Sequence, residues 1–123
     1  MIENEISYKV RGIIFDIYNN LGPGLYESVY EEVLAFELSK VNLKFSRQIP
    51  LPVIWKDLIM EHGFRADIIV ENKVIIEIKS IELIANVHHK QLLTYLRISN
   101  LRLGLLVNFN SEPLFIKRIV NNL

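Results

Sequence analysis

Phe64-Arg65-Ala66-Asp67-Ile68-Ile69-Val70, followed after three residues by Val74-Ile75-Ile76-Glu77-Ile78-Lys79, is the stretch on which the fold turns. Both runs are short and β-branched, and Glu71-Asn72-Lys73 between them has turn composition, so the pair predicts a β-hairpin. Successive strand side chains point to opposite faces, which puts Glu77 and Lys79 on one face and Ile76 and Ile78 on the other. If the loop closes Val70 against Val74, the same register sets Asp67 opposite Glu77. Opposed residues have Cβ atoms about 4.5–5.5 Å apart, and like charges there repel. A divalent cation would neutralise them, and hard carboxylate oxygens select magnesium or manganese over zinc. Two other readings stay open at this point. The pair could sit at a solvated edge, or Lys79 and Arg65 could offset its charge.

Outward from the hairpin, the chain reads as alternating helical and extended segments. Ile6, Val10, Ile13, Ile14, Ile17 and Leu21 recur at helical spacing and predict a helix from Glu3 to Asn20. Leu21-Gly22-Pro23-Gly24 breaks it, and a second helix is expected from Tyr26 to Lys40. Gln48 to Trp55 reads as a strand whose Pro50 and Pro52 mark an edge, a bulge or a strand beginning. After the hairpin comes a helix from Asn86 to Ser99, capped by Asn86, with Leu92, Leu93 and Leu96 on its buried side. Leu101 to Phe109 is almost continuously apolar, as in a strand covered on both faces, and Leu114 to Val120 follows as a last strand. The order is α-α-β-β-β-α-β-β: an α/β (α+β) chain, residues 1–123 in one domain, with a mixed sheet flanked by helices.

Composition narrows the chemistry. Half of the 123 residues are hydrophobic, 23% are charged and mean hydropathy is +0.24, enough apolar material for a core. Without cysteine there is no thiolate zinc site, iron–sulfur cluster, cysteine nucleophile or disulfide. No apolar run approaches the roughly 18 residues of a membrane span, and Met1 to Lys9 carries Glu3 and Glu5 instead of a signal-peptide core. A cytoplasmic location is the default expectation. Net charge is zero, so no global field recruits a polyanion, although the segment after Lys79 holds five basic residues against two acidic ones.

Three further groups of polar residues mean little singly. Glu27 lies in the first turn of a helix, where the dipole favours an acid. Gln91 and Tyr95 are four apart and share a helix face. His88 and His89 read as surface residues at a helix start, His62 as a turn residue, and Tyr26, Tyr30 and Trp55 as core or interface aromatics. Together, Gly24-x-x-Glu27-x-x-Tyr30, Asp67, Glu77-Ile78-Lys79 and Gln91-x-x-x-Tyr95, in this order and on these elements, resemble the GxxExxY family of the PD-(D/E)XK nuclease superfamily. The resemblance runs from about Ile6 to the C-terminus and includes Gln48-Ile49-Pro50-Leu51-Pro52-Val53.

The resemblance implies an α-β-β-β-α-β core in which Asp67 and Glu77 hold a magnesium or manganese ion. The carbonyl of Ile78 and the carboxylate of Glu27 would complete the set. Lys79 would orient the attacking water or stabilise charge developing on the phosphate. Gln91 and Tyr95 resemble the helix motif of RecB-type nucleases, which faces the site. The implied reaction is hydrolysis of a phosphodiester in DNA or RNA. The rival reading is a non-catalytic module binding nucleic acid or protein on a nuclease fold. No specificity domain is evident in this minimal core, which leaves room for a homodimer or a protein partner.

Overall fold

The structure is a computed structural model describing residues 1–123. Its elements are α1 (Glu3–Leu21), α2 (Glu27–Lys40), β1 (Phe45–Pro50), β2 (Val53–Trp55), β3 (Leu58–Met60), β4 (Arg65–Val70), β5 (Val74–Lys79), α3 (Asn86–Ser99), β6 (Leu103–Asn108) and β7 (Phe115–Val120). Five strands form one sheet in the order β1-β4-β5-β6-β7. Only β5 and β6 are parallel, with α3 as the crossover between them, and the other neighbours are antiparallel. Helices and main sheet thus follow the order read from the sequence.

Alternation in the strands sorts the core into two layers. Ile68, Ile76 and Ile78 pack with Ile6, Val10, Ile14, Tyr30 and Leu34 of α1 and α2. Ile69, Ile75 and Leu106 pack on the other face with Leu92, Tyr95 and Leu96 of α3. All six residues of β6 are buried, as its apolar run requires. Gly104 lets α3 settle this close: a Cβ there would lie 3.0 Å from the Leu92 side chain. No helix is long and apolar enough to cross a membrane.

The segment from Gln48 to Trp55 departs from its reading. It is two strands in two sheets, not one. Leu51 N–H donates to Phe64 O at 2.8 Å, the last bond tying this segment to the neighbourhood of β4. Pro52 has no donor to continue, and the chain leaves to form a separate two-stranded hairpin, β2 with β3. Strand β3 is not among those expected from the sequence. This hairpin leaves Trp55 64% exposed, and Tyr26 is 81% exposed, so neither is a core aromatic. Asn86 is not the cap of α3 either. Ala85 holds the N-cap position in extended geometry, and His88 Nδ1 accepts its N–H at 2.9 Å.

Candidate active site

The site lies where the β4–β5 ladder stops. Ladder pairs run Val70–Val74, Ile69–Ile75 and Ile68–Ile76, in the register expected from the turn. The next position is Asp67 beside Glu77, and there the strands exchange carboxylates instead of carbonyls. Glu77 Oε1 accepts the Asp67 N–H at 3.0 Å, and Asp67 Oδ2 accepts the Ile78 N–H at 2.8 Å. Two backbone donors at the end of a ladder are thereby satisfied by side chains. Ala66 then joins the cluster of Ile69, not that of Ile68, so the alternation of β4 slips at Asp67.

This arrangement crowds two acidic groups against each other. Glu77 is 4% exposed, and burial followed by the charge of Asp67 pushes its carboxyl up to about 8. Asp67 is pushed up as well, first by burial and then, against the Ile78 N–H, by Glu31. The ion pairs of the molecule are Lys40–Glu37 and Arg47–Glu31, and neither involves these two acids. Neutralisation by Lys79 or Arg65 through a salt bridge is therefore not what the fold provides. Lys79 Nζ instead reaches Gln91 Oε1 at 3.4 Å.

Glu27 is placed from the other helical layer by the residues around it. Tyr30 is fully buried, stacked on Phe109 with ring centroids 4.2 Å apart. Its hydroxyl donates to Gly22 O at 2.5 Å and accepts the Leu25 N–H at 3.2 Å, closing the turn that starts α2. Gly24 supplies the φ of +104° that this turn needs. Glu27 Oε2 then accepts the Ser80 N–H at 3.1 Å, just beyond β5, while Ser80 Oγ donates to Leu25 O at 2.6 Å. The glycine and tyrosine of the first motif are thus structural, and they aim its glutamate. From α3, Tyr95 is 6% exposed, edge-on to Phe64, and its hydroxyl is pushed up by burial and by the charge of Glu77.

The fold accordingly brings Glu27, Asp67, Glu77, Ile78, Lys79, Gln91 and Tyr95 to one end of the sheet, between α2 and α3. His88 is occupied at the start of α3, and His89 lies edge-on to Phe115 at 6.0 Å. Two neighbours were not singled out from sequence. Glu31, 6% exposed, and Gln48 line with Glu27, Ser28 and Asp67 an open cleft of about 500 Å³ that has no hydrophobic wall. The spacing of Glu27 and Glu31, four apart on one helix, was the available signal.

The donor set fits a hard divalent cation. No group of three His, Asp or Glu side chains converges to hold a metal ion. Magnesium does not need one, because it keeps several waters and takes one or two carboxylates. Each of Asp67 and Glu77 retains an oxygen free of backbone bonds, Oδ1 and Oε2.

A mixed sheet with this crossover, and an Asp and a Glu-x-Lys set at its open end, define a nuclease-like fold. The chain belongs to the PD-(D/E)XK nuclease superfamily, whose family model matches residues 4–119. The crystal structure of SSO0001 resembles it with a TM-score of 0.59 at 23% identity, over 79% of this chain and 51% of that one. At that identity the likeness is one of fold, and this chain spans about half the length of its neighbour. No curated protein matches it in sequence.

Proposed function

We propose that this chain is a metal-dependent nuclease of the GxxExxY kind, hydrolysing phosphodiester bonds of nucleic acid in the cytoplasm. One observation carries the reading: the half-buried Asp67 and the buried Glu77 lie side by side with no ion pair, Glu77 two residues from Lys79. Magnesium or manganese bound there supplies a Lewis acid for the phosphate and lowers the pKa of water. Asp67 and Glu77 would hold the ion, with the Ile78 carbonyl and Glu27 as further donors. Lys79 orients the nucleophilic water and offsets charge gathering on the phosphate, and Gln91 steadies its ammonium. Tyr95 walls the site from the α3 side and keeps its proton, available for a phosphate oxygen.

The test is cleavage of single- and double-stranded DNA and RNA with Mg²⁺ or Mn²⁺ by wild type, Lys79→Ala and Asp67→Ala. The expected result is metal-dependent cleavage of one substrate class, abolished in Asp67→Ala. Lys79→Ala should fall by about 10²–10³ in rate, the usual cost of one charge-stabilising donor, while still binding Mn²⁺. Equal single-turnover rates for Lys79→Ala and wild type would overturn the mechanism. Cation binding without cleavage of any substrate would favour the non-catalytic module.

A further inference from the structure

We propose that Gln48 is a positioning residue for Asp67: its side-chain amide, aimed by the buried Glu31, fixes the carboxylate that faces the cation. The inference rests on the metal-site reading above and extends it to a strand that reading does not use.

The placement comes from β1. Ladder pairs Arg47–Ile68 and Ile49–Ala66 set Gln48 opposite Asp67, yet these two do not pair. Asp67 is therefore the position at which the ladder of β4 is interrupted toward both neighbours. Gln48 takes φ +50° there, in the left-handed region that a residue with a Cβ adopts at a cost. Glycine would suit this backbone better and would carry no side chain.

The side chain explains the choice. Gln48 Nε2 lies 2.6 Å from Glu31 Oε1 and 3.4 Å from Asp67 Oδ1. An amide nitrogen has two hydrogens, one for each carboxylate, and a flipped amide would set its oxygen against both. Glu31 is itself immobilised, because its other oxygen, Oε2, accepts Arg47 Nε and Nη2, each at 2.9 Å. Asp67 is thus gripped from β5 at Oδ2 by the Ile78 N–H and from β1 at Oδ1 by the amide. An arginine or lysine at 48 would hold Asp67 too, but as a salt bridge competing with the cation. A neutral amide orients the carboxylate and leaves its charge available.

Two variants separate positioning from folding: Gln48→Gly, which relieves the backbone, and Gln48→Met, which keeps the length and removes the donors. Mn²⁺ affinity by calorimetry and the thermal midpoint are measured for both, beside wild type and Asp67→Ala. Both variants should bind Mn²⁺ about 10–100-fold more weakly, the usual effect of removing a partner of a metal ligand. Their midpoints should diverge, with Gln48→Gly at or above wild type and Gln48→Met at or below it. Glu31→Gln should cost less affinity in Gln48→Gly than in wild type, since part of its effect passes through the amide and only its charge near Asp67 remains. Wild-type affinity in either folded variant would overturn the inference while leaving the metal site standing. A wild-type protein that binds no Mn²⁺ would overturn the metal site, and the inference with it.

Discussion

The two ends of the β4–β5 hairpin share a register and differ in everything else. At the closed end Val70, Val74, Ile68 and Ile76 are all fully buried, and Ile68–Ile76, Ile69–Ile75 and Val70–Val74 form a regular ladder. Lys73 N–H donates to Val70 O at 3.0 Å, and Glu71 and Asn72 take φ of +54° to turn the chain. At the open end the same register brings two acids together, and their carboxylates replace the carbonyls that would have continued the ladder. One half of the hairpin is optimised for burial. The other keeps a buried carboxyl that packing alone would remove.

The largest effects are expected at the closed end. Ile76→Ala should cost about 2–5 kcal/mol in denaturant unfolding, the range for truncating a fully buried aliphatic. The fraction still folded should bind Mn²⁺ as wild type does. Gly104→Ala should cost about 1–3 kcal/mol, because the new methyl meets Leu92 at 3.0 Å and lifts α3. Since Gln91 adjoins Leu92, the Lys79–Gln91 contact should weaken with it, which amide chemical shifts would report. At the open end the effect is one of pH. Glu77 keeps its proton in the folded chain up to about 8, while the unfolded chain releases it near 4.5. Its contribution to stability is therefore complete below 4.5 and is lost as pH rises toward about 8, with a slope of at most about 1.4 kcal/mol per pH unit. Denaturation over this range without divalent ions checks the slope, and Glu77→Gln should remove it. The smallest effect is expected in the outlying β2–β3 hairpin, where Trp55→Ser should change stability by about 0.5 kcal/mol or less.

Much of this was legible in the sequence because the signals were local. The turn at Glu71-Asn72-Lys73 fixed the pairing of Val70 with Val74, and period two then carried Asp67 to Glu77 without further information. Glu27 at the start of α2 and Glu77 to Lys79 at the end of β5 reached one end of the sheet for the same reason, since the element order dictates their direction, while Gln91 and Tyr95 reach it from the middle of α3. What stayed hidden depended on non-local satisfaction of hydrogen bonds. Nothing around Gln48 announces that its amide bridges Glu31, seventeen residues earlier, and Asp67, nineteen later. Nor does sequence reveal that Glu77 takes a backbone N–H where a carbonyl was expected. Pro50 and Pro52 did signal an interruption, but not that the chain would open a second sheet beyond them. At α3 the helix began one residue before its apparent cap could act, because His88 reaches back to the Ala85 N–H.

In the function proposed above, the open end of the hairpin is a cation site made by Asp67 and Glu77. Calorimetric titration of Mg²⁺ and Mn²⁺ into wild type and Asp67→Ala at pH 7, in two buffers of different ionisation enthalpy, tests it directly. With Glu77 still protonated at that pH, wild type should bind the ion and release close to one proton, and Asp67→Ala should bind neither ion. Equal affinity in the two proteins, or no binding in wild type, would contradict the account.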